Sequence, residues 1–427
     1  MRIDDFYSPI WDPARRNLPE RVYEDEDVIL ASNFECGNGF RFHKPAEGRY
    51  RFELEPEPGN HDFSGKAYYF CFVALNKHGT PRHITVEVAN PIFHEASWAE
   101  ATRFVIVRRG DSWHHLPQKN MLTSPHDGII AFEAMLPPAS GENPLLFFSN
   151  YHWYPWSEMT ADLKQLQKRK KDVRLCAIGK SAEGRDIWAV EVGRDEENAP
   201  TIVCAATPQP NEMGHHACRG ILDFLLTDNG AARDICERHR ICLIPHPNPD
   251  GSVMGYMASD AAGNFPYFMG KEAIEGSVGA PIEQVAIWDY IRRKHPWIYF
   301  EWHSNHMHRR KGHMLLRYDP NLAADESVRR IWDGFDRRLA ALPDAHPENL
   351  TDLTNGYTNS IGLGVVAKLG GIAVMPKVHE KYPLERILDW VVNAFRSATD
   401  AYAECMTGSD SQSVTSTTVQ QNTGSDY

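Results

Sequence analysis

From Trp156 onward, strand-like and helix-like segments alternate, and that alternation restricts the fold more than any other feature of the chain. Ile187–Val192, Ile202–Ala206, Ile241–Pro245 and Ile298–Trp302 are short, apolar and rich in β-branched or aromatic residues. Residues 214–227, 281–294, 320–341 and 383–405 space their apolar side chains as helices do. Such an alternation builds a mixed sheet covered by helices on both faces. Ser157 is placed to cap the first helix, with Glu158 in its first turn and Leu163 and Leu166 at helical spacing.

Ahead of Trp156 the texture is different. Arg49–Leu54 and His83–Val88 alternate polar and apolar residues, and Tyr68–Leu75 is aromatic and β-branched, with Gly, Pro, Asn and Asp clusters between them. Those patterns predict an antiparallel β-sandwich. The expected organisation is therefore α/β overall: a β-sandwich over residues 1–155, an α/β domain over 156–406 and a tail over 407–427. The tail is Ser-, Thr-, Gln- and Gly-rich and is expected to be disordered.

A chain of 427 residues, 42% of them hydrophobic, exceeds what one core of about 250–300 residues accommodates. With 57 acidic against 45 basic residues it offers no large basic field, so no nucleic-acid partner is expected. No apolar stretch reaches the ~18 residues of a membrane span, and polar residues follow Met1, so neither a membrane association nor a secretory leader is expected. The eight cysteines are scattered, lack any Cys-x-x-Cys pair and sit mostly in apolar runs. They read as free thiols of a reducing, cytoplasmic compartment.

In sheets of this kind ligands bind at the carboxyl ends of strands. Three such ends carry polar clusters: Gln209-Pro210-Asn211-Glu212, Glu301-Trp302-His303-Ser304 and His379-Glu380. Several neighbouring segments bear a wider likeness. Ile178-Gly179-Lys180-Ser181 with Glu183-Gly184-Arg185, the turn Asn248-Pro249-Asp250-Gly251, Phe34-Glu35-Cys36-Gly37-Asn38 and the aromatic stretch Phe148–Trp156 occur in this order along the chain. Together they resemble the zinc carboxypeptidases, and the cytosolic carboxypeptidase branch in particular, over roughly residues 30–405.

The resemblance implies a carboxypeptidase-like α/β domain and a zinc ion held by a His-x-x-Glu motif and a distant His. Glu212 falls on the motif's Glu and His303 on the distant His. Glu301, where relatives carry Asp, would accept the second imidazole N–H and orient the ring. Glu380 is implied as the base that activates water, and Tyr357, 23 residues earlier, as a substrate-contacting tyrosine.

The pattern is broken in three places. Gln209 stands where the family has the first ligand His, and an amide oxygen suits zinc less well than imidazole. His215, His216 and His246 lie near enough in sequence or topology to replace it, although a solvated helix start is the bland alternative for the first two. Ala258 stands where relatives have an arginine, and Tyr267-Phe268 where they have Asn-Arg; those arginines bind the terminal carboxylate of a peptide. An aromatic pair suggests an apolar or stacked substrate. Arg309 and Arg310 in the basic run His306–Lys311 could supply another anion contact. The segment Gly371–Glu380 is one residue longer than the family's, and a one-residue slip would turn Glu380 to the other face.

The implied function is metal-dependent hydrolysis of an amide bond in a peptide-like or small amide substrate, without ordinary removal of C-terminal residues. Two alternatives stay open: a catalytically silent binding protein, and an enzyme repurposed for condensation or deacylation in a specialised pathway. The substrate, the metal in use and the oligomeric state are not specified by the sequence.

Overall fold

Pleating explains how one sheet holds two cores. Along Ile298–Ser304, Ile298, Phe300 and Trp302 face one way and join Ile202, Cys204, Ile241, Leu243, Ile372 and Val374. Helices Gly214–Leu225, Glu326–Ala340 and Leu384–Thr407 cover that side through Ile221, Leu222, Phe335, Val391 and Phe395. Tyr299 faces the other way with Val203, Ala205, Cys242, Ile244 and Ala373, under helices Ile282–Lys294 and Ile361–Leu369. The predicted helix-covered sheet is therefore present.

The fold comes from a computed structural model that describes residues 19–62, 64–65, 67, 69–89, 104–122, 129–304, 312–318, 325–350 and 359–407. The sheet has eight strands in the order Arg174–Lys180, Asp186–Gly193, Arg240–Ile244, Thr201–Ala206, Ile298–Ser304, Ile372–Val378, His313–Tyr318 and Ala345–Leu350. Three of its central strands, Thr201–Ala206, Ile298–Ser304 and Ile372–Val378, run parallel side by side. Their carboxyl ends therefore open at the same edge. The first two strands of the sheet and the pairing of His313–Tyr318 with Ile372–Val378 are antiparallel, so the sheet is mixed.

Two sheets precede it. One has six strands, in the order Val22–Glu24, Val28–Ala31, Cys71–Asn76, Leu145–Ser149, Ile106–Arg109, Ser112–His115. The other has four: Phe40–Ala46, Arg49–Glu53, Arg82–Ala89, Ile129–Leu136. All their pairings are antiparallel except Arg49–Glu53 with Arg82–Ala89, which is parallel. Phe34, Phe52, Phe72, Phe132 and Phe148 fill the space between them. The same core runs on into Met257, Ala258, Phe265, Tyr267 and Met375 of the α/β part, so no solvent layer separates the two.

Two expectations about helix starts need correction. Helix Trp156–Arg169 follows Pro155, and Ser157 caps nothing. Its backbone N–H (3.0 Å) and hydroxyl (2.9 Å) both donate to the Glu35 carboxylate from the N-terminal part. A carboxylate at a helix N-terminus meets both the unpaired donors and the helix dipole, which a serine could do only in part. The helix expected over 320–341 spans Glu326–Ala340, starting where the Asp325 side chain accepts from the Ser327 N–H at 2.7 Å. The tail beyond Thr407, Tyr357, and Arg309 and Arg310 with their basic run lie outside the described residues.

Candidate active site

Side chains two residues apart on a strand share a face, and Tyr299, Glu301 and His303 use that rule. The Tyr299 hydroxyl donates to Glu301 Oε2 at 3.0 Å, and Glu301 Oε1 lies 2.9 Å from His303 Nε2. Glu301 thus fixes the tautomer, placing the imidazole proton on Nε2 and leaving Nδ1 as a lone-pair donor. His303 is 0% exposed. Its Nδ1 lies 3.1 Å from Glu212 Oε2 but outside hydrogen-bond geometry, a buried nitrogen without a hydrogen-bond partner.

Glu212 is carried by the loop between Thr201–Ala206 and helix Gly214–Leu225. Gly214 lets that helix start hard against the strands, since a Cβ there would lie 2.5 Å from Ala206 Cα and 2.6 Å from the Trp302 carbonyl oxygen. Asn211, at φ 68°, turns the loop, a conformation asparagine tolerates. Its amide donates to the carbonyls of Ser252 (3.3 Å) and Tyr256 (3.0 Å). Gln209 lies in the same loop, 6% exposed, with its backbone N–H on Thr207 Oγ1 at 3.1 Å.

Ser304 joins the two carboxylates. Its backbone N–H donates to Glu212 Oε2 at 2.7 Å and its hydroxyl donates to Glu380 Oε1. The Met213 N–H in turn donates to the Ser304 hydroxyl oxygen at 2.8 Å. Glu380 therefore reaches Ser304 and the field of Glu212 despite the extra residue in its segment. The His379 ring lies 5.7 Å from that of Tyr382, and its Nδ1 accepts from the Lys381 N–H at 3.3 Å. Burial pushes the Glu380 carboxyl well above the usual carboxylate range; the Ser304 hydroxyl pulls it back and the charge of Glu212 pushes it up further.

The N-terminal part reaches this cluster. The backbone of His152 bonds the Glu380 carboxylate, and His115 Nε2 donates to the Glu380 carbonyl oxygen at 2.8 Å. Tyr69 packs against Tyr151 at 4.5 Å and is buried in the field of Glu212 and Glu380, so burial first and then both charges hold its hydroxyl well above the ordinary range. These contributions were missed from the sequence. Only the aromatic stretch around His152 carried a signal, and that signal named no target.

His215 and His216 do not form the solvated helix start that was the alternative for them, and His246 lies beside them, its ring 5.4 Å from that of His215. They are buried, not solvated, and they face the segment at 152–154. His215 Nε2 donates to the His152 carbonyl at 3.0 Å, while His216 and His246 bond the backbone at Trp153 and Tyr154. Burial holds His215 down at about 4 and the other two well below the usual histidine range. Tyr267 walls the site, its ring 5.0 Å from that of His303 and its hydroxyl 3.3 Å from Met375 Sδ. Phe268, half-buried, lies against Tyr267 at 4.9 Å.

Zinc ligands at about 2.0–2.1 Å in a tetrahedron stand roughly 3.3 Å apart, close to the spacing of His303 Nδ1 and Glu212 Oε2. The partnerless Nδ1, the Glu212 carboxylate and the Glu301 support fit a metal ion. Among the described residues no group of three His, Cys, Asp or Glu side chains is arranged to hold one.

A doubly covered sheet thus carries an imidazole and two carboxylates at the carboxyl edge of its parallel strands. Residues 159–262 match the family model described as zinc carboxypeptidase. It is 21% identical over 257 residues to cytosolic carboxypeptidase 2 of Xenopus tropicalis, covering 55% of this chain and 26% of the relative. It is 20% identical over 336 residues to cytosolic carboxypeptidase 6 of Caenorhabditis elegans, covering 74% and 71%. The chain thus spans about a quarter of the first relative's length. Among solved structures, a metallo-carboxypeptidase from Burkholderia cenocepacia superposes with TM-score 0.71 at 14% identity, covering 89% of this chain and 99% of the other. One from Pseudomonas aeruginosa, in complex with (2-guanidinoethylmercapto)succinic acid, gives 0.70 at 17%, covering 87% and 99%. These likenesses carry the fold of both parts of the chain.

Proposed function

We propose that the protein is a metal-dependent hydrolase of an amide bond in a peptide-like or small amide substrate. The observation that carries this is the juxtaposition of His303 Nδ1 with Glu212 and, through Ser304, with Glu380. Glu212 and His303 would hold the metal, with Gln209 completing the protein's donors, and Glu301 keeps the imidazole in its ligating tautomer. Zinc held there supplies Lewis acidity to the scissile carbonyl and to water. Glu380 takes a proton from water and delivers it to the leaving nitrogen. Burial raises its proton affinity above the usual carboxylate range, the direction that favours handing a proton to a leaving group. Ser304 and the His152 backbone keep the carboxylate aimed, and the aromatic wall of Tyr267 receives an apolar part of the substrate. Tyr357, Arg309 and Arg310 keep their proposed roles as substrate contacts.

Free thiols at all eight cysteines suit a reducing compartment such as the cytoplasm, which the names of both relatives also suggest for those proteins. Among the described residues no helix is long and apolar enough to cross a membrane.

Gln209 favours a second reading, a binding protein without turnover, because amide oxygen is a weak zinc donor. The test is elemental analysis of the purified protein and of His303→Ala. The hydrolase reading expects close to one zinc per chain in wild type and little in the variant. Equal zinc in both would sink it.

A further inference from the structure

The loop that follows helix Pro249–Met254 forms a carboxylate-receiving nest, and the chain fills it itself. Glu57, from the N-terminal part and 3% exposed, accepts from the backbone N–H groups of Met257 (2.6 Å), Ala258 (3.0 Å) and Ser259 (2.9 Å). The Ser259 hydroxyl donates to it as well, at 2.8 Å. Successive N–H groups converging on one point are an anion site without any cationic side chain. The occupant is locked in place. Gly59 and Gly263 pass so closely that a Cβ on Gly59 would lie 1.8 Å from the Gly263 carbonyl oxygen, and His61 Nε2 lies 3.0 Å from Ser259 Oγ.

This nest adjoins the candidate metal centre. Asn248 joins the carbonyls of Ser259 and Pro208, both at 3.1 Å, and Asn211 holds the Tyr256 carbonyl, so the nest and the loop bearing Gln209 and Glu212 form one braced unit. The ring of Phe265 lies between His61 at 5.4 Å and Tyr267 at 6.0 Å, and Tyr267 meets His303. The wall beside His303 is thus built partly by residues 57–61.

We propose that Glu57 is a specificity-determining residue: it occupies the nest of residues 257–259 so that the cleft takes substrates presenting a neutral, apolar or aromatic group to this wall, and refuses a free carboxylate there. Four donors are already consumed, whichever protonation state Glu57 holds. A second carboxylate arriving at the wall would lose its water without gaining donors, at a cost that disfavours binding. Ala258, Tyr267 and Phe268 offer it no cation.

The proposal rests on the cleft being the substrate site of the proposed hydrolase, but its test needs no turnover. The zinc-loaded full chain and Glu57→Ala are compared by thermal unfolding in sodium formate, with formamide and sodium chloride as controls. N-acetylphenylalanine and its amide are then titrated calorimetrically. Wild type is expected to ignore formate and to bind the amide at least as well as the acid. Glu57→Ala should regain part of its lost melting temperature in formate alone, saturably, and should favour the acid over the amide by about tenfold or more. The proposal is overturned if wild type prefers the acid tenfold, or if the folded variant gains nothing from formate and does not discriminate. If Glu57→Ala does not fold, the wild-type comparison decides, since it requires no variant. Zinc content, measured on the same preparations, reports separately on the hydrolase reading.

Discussion

Acid should unfold this protein through its buried histidines, and the size of the effect can be worked from five of them. Burial holds His215 and His239 at about 4, His313 at about 3, and His216 and His246 well below the usual value near 6.5. A depressed native pKa means the unfolded chain binds protons that the native chain excludes. Stability from these groups is thus complete above pH 6.5 and is lost as pH falls toward 4. Each excluded proton costs about 1.4 kcal/mol per pH unit, so five give roughly 7 kcal/mol per unit. Glu57 and Glu380 are raised by burial and act oppositely, because the native state takes up their protons first. They oppose the histidines without cancelling them, and the loss draws on a typical total stability of about 5–15 kcal/mol. Cooperative unfolding is expected between about pH 5.5 and 4. His215→Gln keeps a donor for the His152 carbonyl and removes one titration. Its slope should be shallower by about 1.4 kcal/mol per unit. Urea unfolding in pH steps from 7 to 4.5, with calorimetric proton uptake, measures both quantities. Equal uptake in wild type and His215→Gln, or a flat wild-type profile from pH 6.5 to 5, would refute the reasoning.

Gln209→His should tighten zinc in competition with a chelator, because imidazole replaces amide oxygen; unchanged affinity would mean that another group already fills the position. Glu380→Gln should keep its metal and lose turnover by roughly 10²–10⁴-fold, and near-normal activity would remove Glu380 from the mechanism. Glu35→Ala should destabilise the chain by about 1–2 kcal/mol in denaturant unfolding, through loss of its two bonds to the start of helix Trp156–Arg169. A neutral result would mean that water replaces the carboxylate there.

What the sequence made legible was periodic or local. The strand Ile298–Ser304 and the helix Ile282–Lys294 follow directly from their patterns. The three polar clusters were legible as strand ends lying at one edge, while the roles of Glu212, Glu301, His303 and Glu380 came from the resemblance to zinc carboxypeptidases. What stayed hidden was whatever spans the two parts of the chain. Ser157 looks like a cap because its alternative, Glu35, lies 122 positions away. His215 and His216 look solvated because nothing local announces that the backbone at 152–154 will cover them. Ser304 was visible only as a neighbour of His303; its hydroxyl and N–H serve two carboxylates at once because three parallel strands end side by side. Helix Ile361–Leu369 lacks a polar face, since it is sandwiched, and so shows no amphipathic period.

The fastening of the two parts has a kinetic consequence. Glu57 meets Met257 across 200 positions, Asn38 meets Gly255 across 217, and His115 meets Glu380 across 265. Closures of that length come late, because chain entropy is lost before the contacts form. At about 5–20 residues per second on the ribosome, the first strands would wait roughly 10–40 s for the loop that receives Glu57. During that interval the carboxylates of Glu35 and Glu57 still have water, while Phe34, Phe70 and Trp153 have only part of their core. The nascent chain therefore passes through a stage that is charged where it will later be dry and sticky where it will later be closed, which is the stage at which a chaperone would find it.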